Sequence, residues 1–241
     1  MSKKRNKKKT SHVNPFTLKT ISPLTNTQKK VFDEYAKETN LVLHGYAGTG
    51  KTFISIYLAL NDILNKPFSY EKIFIIRSVV PSRDMGFLPG SIKEKIRVYE
   101  EPYKEICDEL FGRGDGYDIL KMNKVIEFTT TSFLRGKTFN NAIVIVDELQ
   151  NMIFSELDTV MTRMGENSKI IFCGDFRQTD LTYEKDKNGL NKFLSILKTM
   201  KRFSYVEFEK TDIVRSGLVR DYIIEKTEKE KYHEEISNFE V

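Results

Sequence analysis

Six short, continuous apolar runs, separated by segments of helical periodicity, constrain the fold of this 241-residue chain more than any other feature. Continuous rather than alternating apolar runs are typical of strands covered by helices on both faces, as in parallel sheets. Alternating strands and helices imply right-handed crossovers. The pattern predicts an α/β fold with a mostly parallel sheet flanked by helices in a single domain. The runs are 41–43, 73–76, 125–128, 143–146, 170–173 and 205–208.

Helical periodicity fills most of the gaps between the apolar runs. The first helix is predicted from Asn26 or Thr27 to about Lys37, because apolar residues recur on one face. From Glu225 onward the chain is rich in charge, which predicts an exposed, fraying helix end and a charged tail over 226–241. Further helices are predicted over 51–65, 91–111, 155–164, 188–199 and 215–230.

The positive charge of the chain is concentrated at its N-terminus. Six of the 39 lysine and arginine residues precede residue 10, and the remainder nearly balance the 34 acidic residues. A charged run without apolar neighbours predicts disorder, so residues 1–22 are interpreted as a basic tail and 23–225 as the folded domain. Two roles remain open for this tail. It is either a solubilising terminus or a flexible arm that attracts nucleic-acid phosphates.

Apolar and cysteine patterns bear on the cellular setting. No apolar run is long enough to span a bilayer, and the basic N-terminus lacks the apolar stretch of a secretory signal. Cys107 and Cys173 have no metal-ligand or redox spacing, and Cys173 lies in a strand pattern typical of a buried thiol. These features predict a cytoplasmic protein in a reducing setting, with no membrane partner.

A glycine-rich segment between the first apolar run and the helix at 51–65 fits the pattern G-x-x-x-x-G-K-[ST]. Its glycines allow successive backbone N–H groups to form an anion cradle at a helix N-terminus. Lys51 is predicted to reach the β- and γ-phosphates of a nucleotide, and the Thr52 hydroxyl to bind Mg²⁺. The predicted nucleotide-binding residues of this loop are Gly45, Tyr46, Ala47, Gly48, Thr49, Gly50, Lys51 and Thr52.

Acidic and amide side chains follow two later apolar runs. Asp147 and Glu148 come directly after 143–146, where Asp147 is predicted to hold Mg²⁺ through a water molecule and Glu148 to polarise the attacking water. Gln178 lies in the polar segment after 170–173 and is predicted to contact the γ-phosphate or that water, with a plain polar turn as the alternative. Because parallel strand ends converge on one crevice, these groups are expected to meet there.

Gln28, at the predicted start of the first helix, is a candidate for recognising adenine. Its amide can pair with both N6 and N7 of that base, which would favour ATP over GTP. The sequence contains no Asn-Lys-x-Asp guanine signature. The expected cofactors are therefore ATP and Mg²⁺.

Together these motifs resemble the PhoH family, the phosphate-starvation-inducible ATPases of bacteria and their phages. The resemblance covers about residues 22–225 and implies a RecA-like P-loop ATPase similar to the N-terminal motor lobe of superfamily 1 helicases. This sequence departs from the family pattern at Leu149, at Ser216–Gly217 and over 77–80. The strings that carry the resemblance are 86–90, 133–138, 147–151, 162–165 and 212–215.

The same resemblance implies that an arginine must complete the site, because this chain has room for one lobe only. Arg215, then Arg163, then Arg135 are the candidates, with a surface salt bridge as the alternative for each. The arginine could act in cis or from a neighbouring subunit. The resemblance therefore implies a homo-oligomeric ring, with a hexamer as one possible form.

Two classes of function remain open for such a domain. The first is an ATPase acting on RNA or single-stranded DNA, to which Phe87, Phe133 and Phe139 would offer stacking surfaces unless they are core residues. The second is a regulatory module whose nucleotide state is read by a protein partner, with no nucleic acid involved. No segment supplies a separate nuclease domain.

Overall fold

The computed structural model describes residues 17–66, 70–78, 92–176 and 183–239. Six strands form one sheet in the order β3-β2-β4-β5-β1-β6, and every neighbouring pair is parallel. The predicted α/β class and all six predicted strands are confirmed. The strands are β1 (Asn40–Gly45), β2 (Lys72–Arg77), β3 (Ile126–Thr130), β4 (Ala142–Asp147), β5 (Ser168–Gly174) and β6 (Phe203–Phe208).

Seven α-helices connect and cover these strands in the described part of the chain. The short helix α4 was not expected, and α7 continues well past Glu225, so the segment predicted as a charged tail is helical up to Phe239. The other helices lie within a few residues of their predicted bounds. They are α1 (Asn26–Ala36), α2 (Lys51–Asn65), α3 (Ile92–Phe111), α4 (Gly116–Met122), α5 (Phe154–Thr162), α6 (Glu184–Thr199) and α7 (Gly217–Phe239).

The continuous apolar runs arise because each central strand is buried on both faces. Along β4, Ile143 and Ile145 join the core beneath α1 to α4, whereas Val144 and Val146 join the core beneath α5 and α6. All four side chains are fully buried. Successive residues of a strand point to opposite faces, so a strand between two helical layers requires apolar residues at every position.

The predicted N-terminal tail is too long. Leu18 and Ile21 pack against the core formed with α3, and the backbone N–H of Lys19 donates to the carbonyl of Leu110 at 2.9 Å. The segment 17–22 therefore belongs to the folded domain, although its sequence has no strand or helix periodicity. The basic residues before position 10 lie outside the described part of the chain.

Two expectations about individual side chains are confirmed. Cys173 is a buried free thiol as expected, Cys107 is buried as well, and burial raises the pKa of both. Phe139 is fully buried against Phe74, with ring centroids 4.8 Å apart, so it is a core residue. None of the helices in the described ranges combines the length and the apolar character needed to cross a membrane.

The strand order brings the functional motifs together. β1 lies between β5 and β6, and β4 lies between β2 and β5. The carboxyl ends of β1, β4 and β5 are therefore near neighbours, with Leu43 beside Cys173 and Val146 beside Phe172 in register. Crevices at these strand ends are the usual ligand sites of open parallel sheets.

Gly45 ends β1 with a φ of 125°, and a Cβ atom there would lie 2.1 Å from the carbonyl oxygen of Phe208. We expect Gly45→Ala to lower the free energy of unfolding by about 3 kcal/mol or more, because backbone clash adds to the conformational strain. Gly114→Ala, with no atom within 4 Å of the added carbon, is the matched control. Urea unfolding, followed by circular dichroism, measures the free energy of unfolding of the two variants. Equal values for Gly45→Ala and Gly114→Ala would contradict the steric argument.

Candidate nucleotide site

A cavity of about 550 Å³ opens at the carboxyl ends of the central strands. One wall is the segment 47–52, which links β1 to α2, and the opposite wall is formed by α3. Asp147, Glu148 and Asp175 line its floor, and Arg77 and Arg215 line its sides. The glycine-rich segment 45–52, called the phosphate loop below, therefore lies close to Asp147 and Glu148 at the end of β4, as expected.

The phosphate loop adopts a conformation that glycine permits. Gly48 and Gly50 have φ angles of 73° and 84°, in the left-handed region that other residues seldom adopt. The Lys51 ammonium donates to the carbonyl oxygens of Gly45 and Tyr46, each at 2.8 Å. The loop is thus already curved around a positive charge placed at the start of α2.

The charge of Lys51 depends on its surroundings. Burial lowers the pKa of the Lys51 ammonium, and the nearby carboxylates of Asp175, Asp147 and Glu148 oppose this shift. A desolvated ammonium interacts more strongly with an anion than a solvated one does. Lys51 is therefore suited to neutralise phosphate charge at this position.

A hydroxyl and a carboxylate meet across the cavity floor. Thr52 Oγ1 donates to Asp147 Oδ1 at 2.8 Å, although the two residues are far apart in sequence. Hydroxyl and carboxylate oxygens are the hard ligands that Mg²⁺ prefers, and Mg²⁺ usually takes only one or two protein ligands beside phosphates. This pair fits such an ion. In the part of the chain that is described, no cluster of three or more histidine, cysteine or acidic residues forms a separate metal site.

Glu148 is held in a strained backbone conformation beside this pair. Its φ of 53° places a residue other than glycine in the left-handed region, a feature often found at functional sites. The Gln150 amide donates to Glu148 Oε2, and Gln150 Oε1 accepts the backbone N–H of Asp175 at 3.0 Å. Burial, followed by the charge of Asp147, raises the pKa of Glu148, and Arg77 opposes this shift.

The Gln28 amide contacts the phosphate loop of its own chain. Its Nε2 donates to the carbonyl of Thr49 at 3.0 Å, and its Oε1 accepts the backbone N–H of Leu24 at 2.7 Å. The side chain is only 4% exposed. Both ends of the amide are thus engaged by backbone groups, so the expected pairing with adenine requires Gln28 to share or exchange these partners.

The three candidate arginines differ in position. Arg215 lies against the phosphate loop of its own chain, since a Cβ on Gly48 would lie 2.8 Å from Arg215 Cγ. The backbone N–H of Val214 donates to the Gly48 carbonyl at 3.0 Å and fixes this approach. Arg135 and Arg163 do not line the cavity. Of the three candidates, Arg215 is thus the one that lines this cavity.

Three further residues at the site were given no role from the sequence, although Arg77 and Gln150 lie in the segments 77–80 and 147–151 that were compared with the family pattern. The Tyr103 hydroxyl on α3 donates to Asp147 Oδ2 at 2.9 Å. Arg77 ends β2 beside Asp147 in register, and Gln150 joins Glu148 to Asp175. Gln150 lies two residues after Glu148, which is a further local hint. The predicted γ-phosphate contact Gln178 falls outside the described residues.

We expect Gln28→Ala to lower the free energy of unfolding of the nucleotide-free protein by about 1–3 kcal/mol, because two backbone groups lose their partner. Lys29→Ala, at an exposed position of the same helix, is the control and should change stability by less than about 0.5 kcal/mol. Chemical unfolding and the ratio of ATP to GTP affinities are measured on both variants. Unchanged stability of Gln28→Ala would show that its contacts to Thr49 and Leu24 contribute nothing to the fold.

Comparison with solved structures supports the architecture. The large terminase of a thermophilic bacteriophage matches with a TM-score of 0.53 and 13% sequence identity, covering 83% of this chain and 50% of that chain. The match to the same terminase in complex with ADP has a TM-score of 0.52. At this identity the likeness concerns the fold alone, which is that of a RecA-like P-loop domain.

Sequence comparison gives a closer relationship. The model of the PhoH-like protein family matches residues 20–226. A PhoH-like protein of Mycobacterium leprae is 32% identical over 217 residues, covering 89% of this chain and 60% of that protein. A PhoH-like protein of Bacillus subtilis is 35% identical over 180 residues, covering 74% of this chain and 55% of that protein. This chain thus spans little more than half the length of these relatives, and it belongs to the PhoH-like protein family.

Proposed function

We propose that this chain binds ATP with Mg²⁺ and hydrolyses the γ-phosphate, and that hydrolysis is coupled to RNA or single-stranded DNA. The observation that carries the proposal is the hydrogen bond from Thr52 to Asp147, made on the floor of a cavity that also contains the phosphate loop and Glu148. This is the arrangement that phosphoryl-transfer chemistry in P-loop proteins requires. The match to a terminase solved with ADP is consistent with a nucleotide ligand.

Binding of the triphosphate begins with the loop and Lys51. We expect a phosphate group to replace the carbonyl oxygens of Gly45 and Tyr46 as the partner of the Lys51 ammonium. The free backbone N–H groups and the helix dipole at the start of α2 both favour a bound phosphate. Thr52 and Asp147 would hold Mg²⁺, which offsets the charge of the β- and γ-phosphate oxygens.

Glu148 is the proposed general base. Its Oε2 accepts the Gln150 amide, so we assign Oε1 as the atom that takes a proton from the attacking water. The raised pKa of Glu148 makes its carboxylate a stronger base than one exposed to solvent. The cation of Arg77 lies close enough to Glu148 to oppose this rise in its pKa.

Arg215 is the proposed arginine of the site, acting on the nucleotide of its own chain. Its contact with Gly48 places its guanidinium at the cavity wall. An arginine at this position would stabilise charge that develops on the transferred phosphate. The homo-oligomeric ring, in which an arginine of one protomer would complete the site of the next, stays a prediction, as does a location in the bacterial cytoplasm.

Coupling to nucleic acid rests on an exposed aromatic ring and on the basic arm. Phe133, in the turn that follows β3 at the nucleotide edge of the sheet, is 51% exposed. Arg135 is exposed two residues later. An exposed aromatic ring suits stacking on an unpaired base, and a cation close to it in sequence suits attraction to phosphate. Phe139, in contrast, is buried and is excluded from this role, and Phe87 lies outside the described residues.

A regulatory module is the second candidate, because α7 presents apolar side chains beside the nucleotide cavity. Leu218 is 84% exposed and Tyr222 is 66% exposed, on the helix that begins two residues after Arg215. Ile223 of the same helix packs close to Gly48 of the phosphate loop. A change at the loop could therefore alter a surface that a protein partner reads.

Two substitutions separate binding from hydrolysis. Lys51→Ala is expected to abolish detectable ATP binding, because backbone N–H groups alone leave the phosphate charge poorly neutralised. Glu148→Gln is expected to retain ATP binding while kcat falls by roughly 100-fold or more. Equilibrium binding of a fluorescent ATP analogue and phosphate release measure the two effects, with Lys29→Ala as the surface control. Normal turnover by Glu148→Gln would exclude Glu148 as the base.

Nucleic-acid coupling is tested by phosphate release with and without added RNA or single-stranded DNA. We expect stimulation that declines with salt, since phosphate contacts release counterions. Phe133→Ala should weaken binding by roughly 10-fold, as loss of one stacked base does. Met122→Ala, exposed at the opposite edge of the sheet, is the control and should behave as the wild type. Negligible nucleic-acid binding at low salt would favour the regulatory module.

A further inference from the structure

Helix α3 reaches into the nucleotide cavity with a single buried hydroxyl. Tyr103 is 1% exposed, and its hydroxyl donates to Asp147 Oδ2 at 2.9 Å. The other oxygen of the same carboxylate, Oδ1, accepts the Thr52 hydroxyl at 2.8 Å. Both oxygens of Asp147 are therefore held, one by the phosphate-loop helix α2 and one by α3.

The Tyr103 ring and the preceding turn of α3 make further contacts with the sheet. The ring lies against Phe128 of β3, with centroids 5.4 Å apart. One turn earlier on α3, Tyr99 lies beneath the guanidinium of Arg77, 5.4 Å from the ring centroid. Arg77 is in turn the register partner of Asp147 on the neighbouring strand. The same face of α3 thus contacts the ends of both β2 and β4.

We propose that Tyr103 is a positioning residue for Asp147, which holds the carboxylate in the orientation that accepts a divalent cation and links α3 to metal loading. This inference rests on the proposed function, in which Thr52 and Asp147 hold Mg²⁺. The hydrogen bond at Oδ2 restricts rotation of the carboxylate, so Oδ1 stays directed toward Thr52. Partners that orient a metal ligand in this way commonly change metal affinity by roughly 10–100-fold when removed.

A purely structural role for the Tyr103 hydroxyl makes a different prediction. A buried hydroxyl bonded to a buried carboxylate contributes to stability wherever it lies in the fold. The chain contains a matched pair for comparison, since the Tyr35 hydroxyl donates to Asp62 Oδ2 at 2.9 Å with both residues buried. Asp62 lies near the C-terminal end of α2, the end remote from the phosphate loop.

The test is a Mg²⁺ titration of nucleotide binding by the wild type, Tyr103→Phe and Tyr35→Phe. Binding of a fluorescent ATP analogue to each protein is measured first in EDTA and then at increasing MgCl₂ concentrations. We expect Tyr103→Phe to bind nucleotide like the wild type in EDTA and to need roughly 10-fold more Mg²⁺ for half-saturation. Tyr35→Phe should titrate like the wild type, because its hydroxyl is remote from the cation.

The outcomes distinguish the two proposals. A wild-type protein whose nucleotide binding is unaffected by Mg²⁺ would overturn the proposed function together with this inference. A wild type that responds, with a Tyr103→Phe titration identical to it, would overturn the positioning role alone. Equal shifts in both variants would also overturn it, since they would reflect general loss of stability.

A second measurement uses the wild type only and does not depend on the variant folding. Amide hydrogen exchange of α3 is compared with nucleotide in EDTA and with nucleotide in MgCl₂. We expect Mg²⁺ to slow exchange in the turns around Tyr103, because a loaded Asp147 holds its partner on α3 more firmly. Identical exchange in the two conditions would contradict the link between α3 and the cation.

Discussion

The carboxylate of Asp147 is the point on which the structure of the site depends. It is only 7% exposed, and a buried charge is costly unless hydrogen-bond donors surround it. Thr52 and Tyr103 supply those donors from two different helices. The same two contacts that satisfy the charge also hold the phosphate loop and α3 on either side of one cavity. Stability of the fold and organisation of the site therefore have a common physical origin.

Around this carboxylate, the strands are rigid, and several residues at or after their ends have positive φ angles. The central strands are buried on both faces, so their carboxyl ends have little freedom to move. Gly45, Gly48 and Glu148 follow or lie near these ends with positive φ angles. Unfavourable backbone conformations persist only where the surroundings determine them strongly. Glu148 is the non-glycine example at the cavity, whereas the others in the described part of the chain, Glu38, Lys124, Asn141 and Asn167, do not line it.

A buried lysine at the other end of the sheet shows why a shifted pKa alone does not identify a functional site. Lys169 is buried beside Tyr35, and burial lowers the pKa of its ammonium, as it does for Lys51. Both lysines donate to backbone carbonyls, but Lys169 donates to Tyr35 of α1, whereas Lys51 lines the cavity that also contains Asp147 and Glu148. Geometry, rather than the direction of a pKa shift, separates a structural lysine from a functional one.

Elements whose formation depends on a few consecutive residues could be predicted from the sequence. Periodicity located all six strands, and the glycine pattern before Lys51 located α2 and the phosphate loop, because both signals lie within a few consecutive residues. The segment 17–22 was misjudged as tail, since it is ordered by contacts with α3 and not by a pattern of its own. Helix α4 is similarly short and was not expected.

Contacts between distant residues were decided only by the tertiary structure. Tyr103 reaches Asp147 across 44 positions of the chain, and Gln28 reaches Thr49 across 21. Such pairs have no fixed spacing, so nothing in the sequence marks a tyrosine of α3 as part of the site. The sequence by itself determined which groups are candidates to bind phosphate and metal; the packing of α1, α3 and α7 around the sheet decided what holds those groups in place. The physical reason is that side-chain orientation depends on packing, which brings together residues that no local pattern connects.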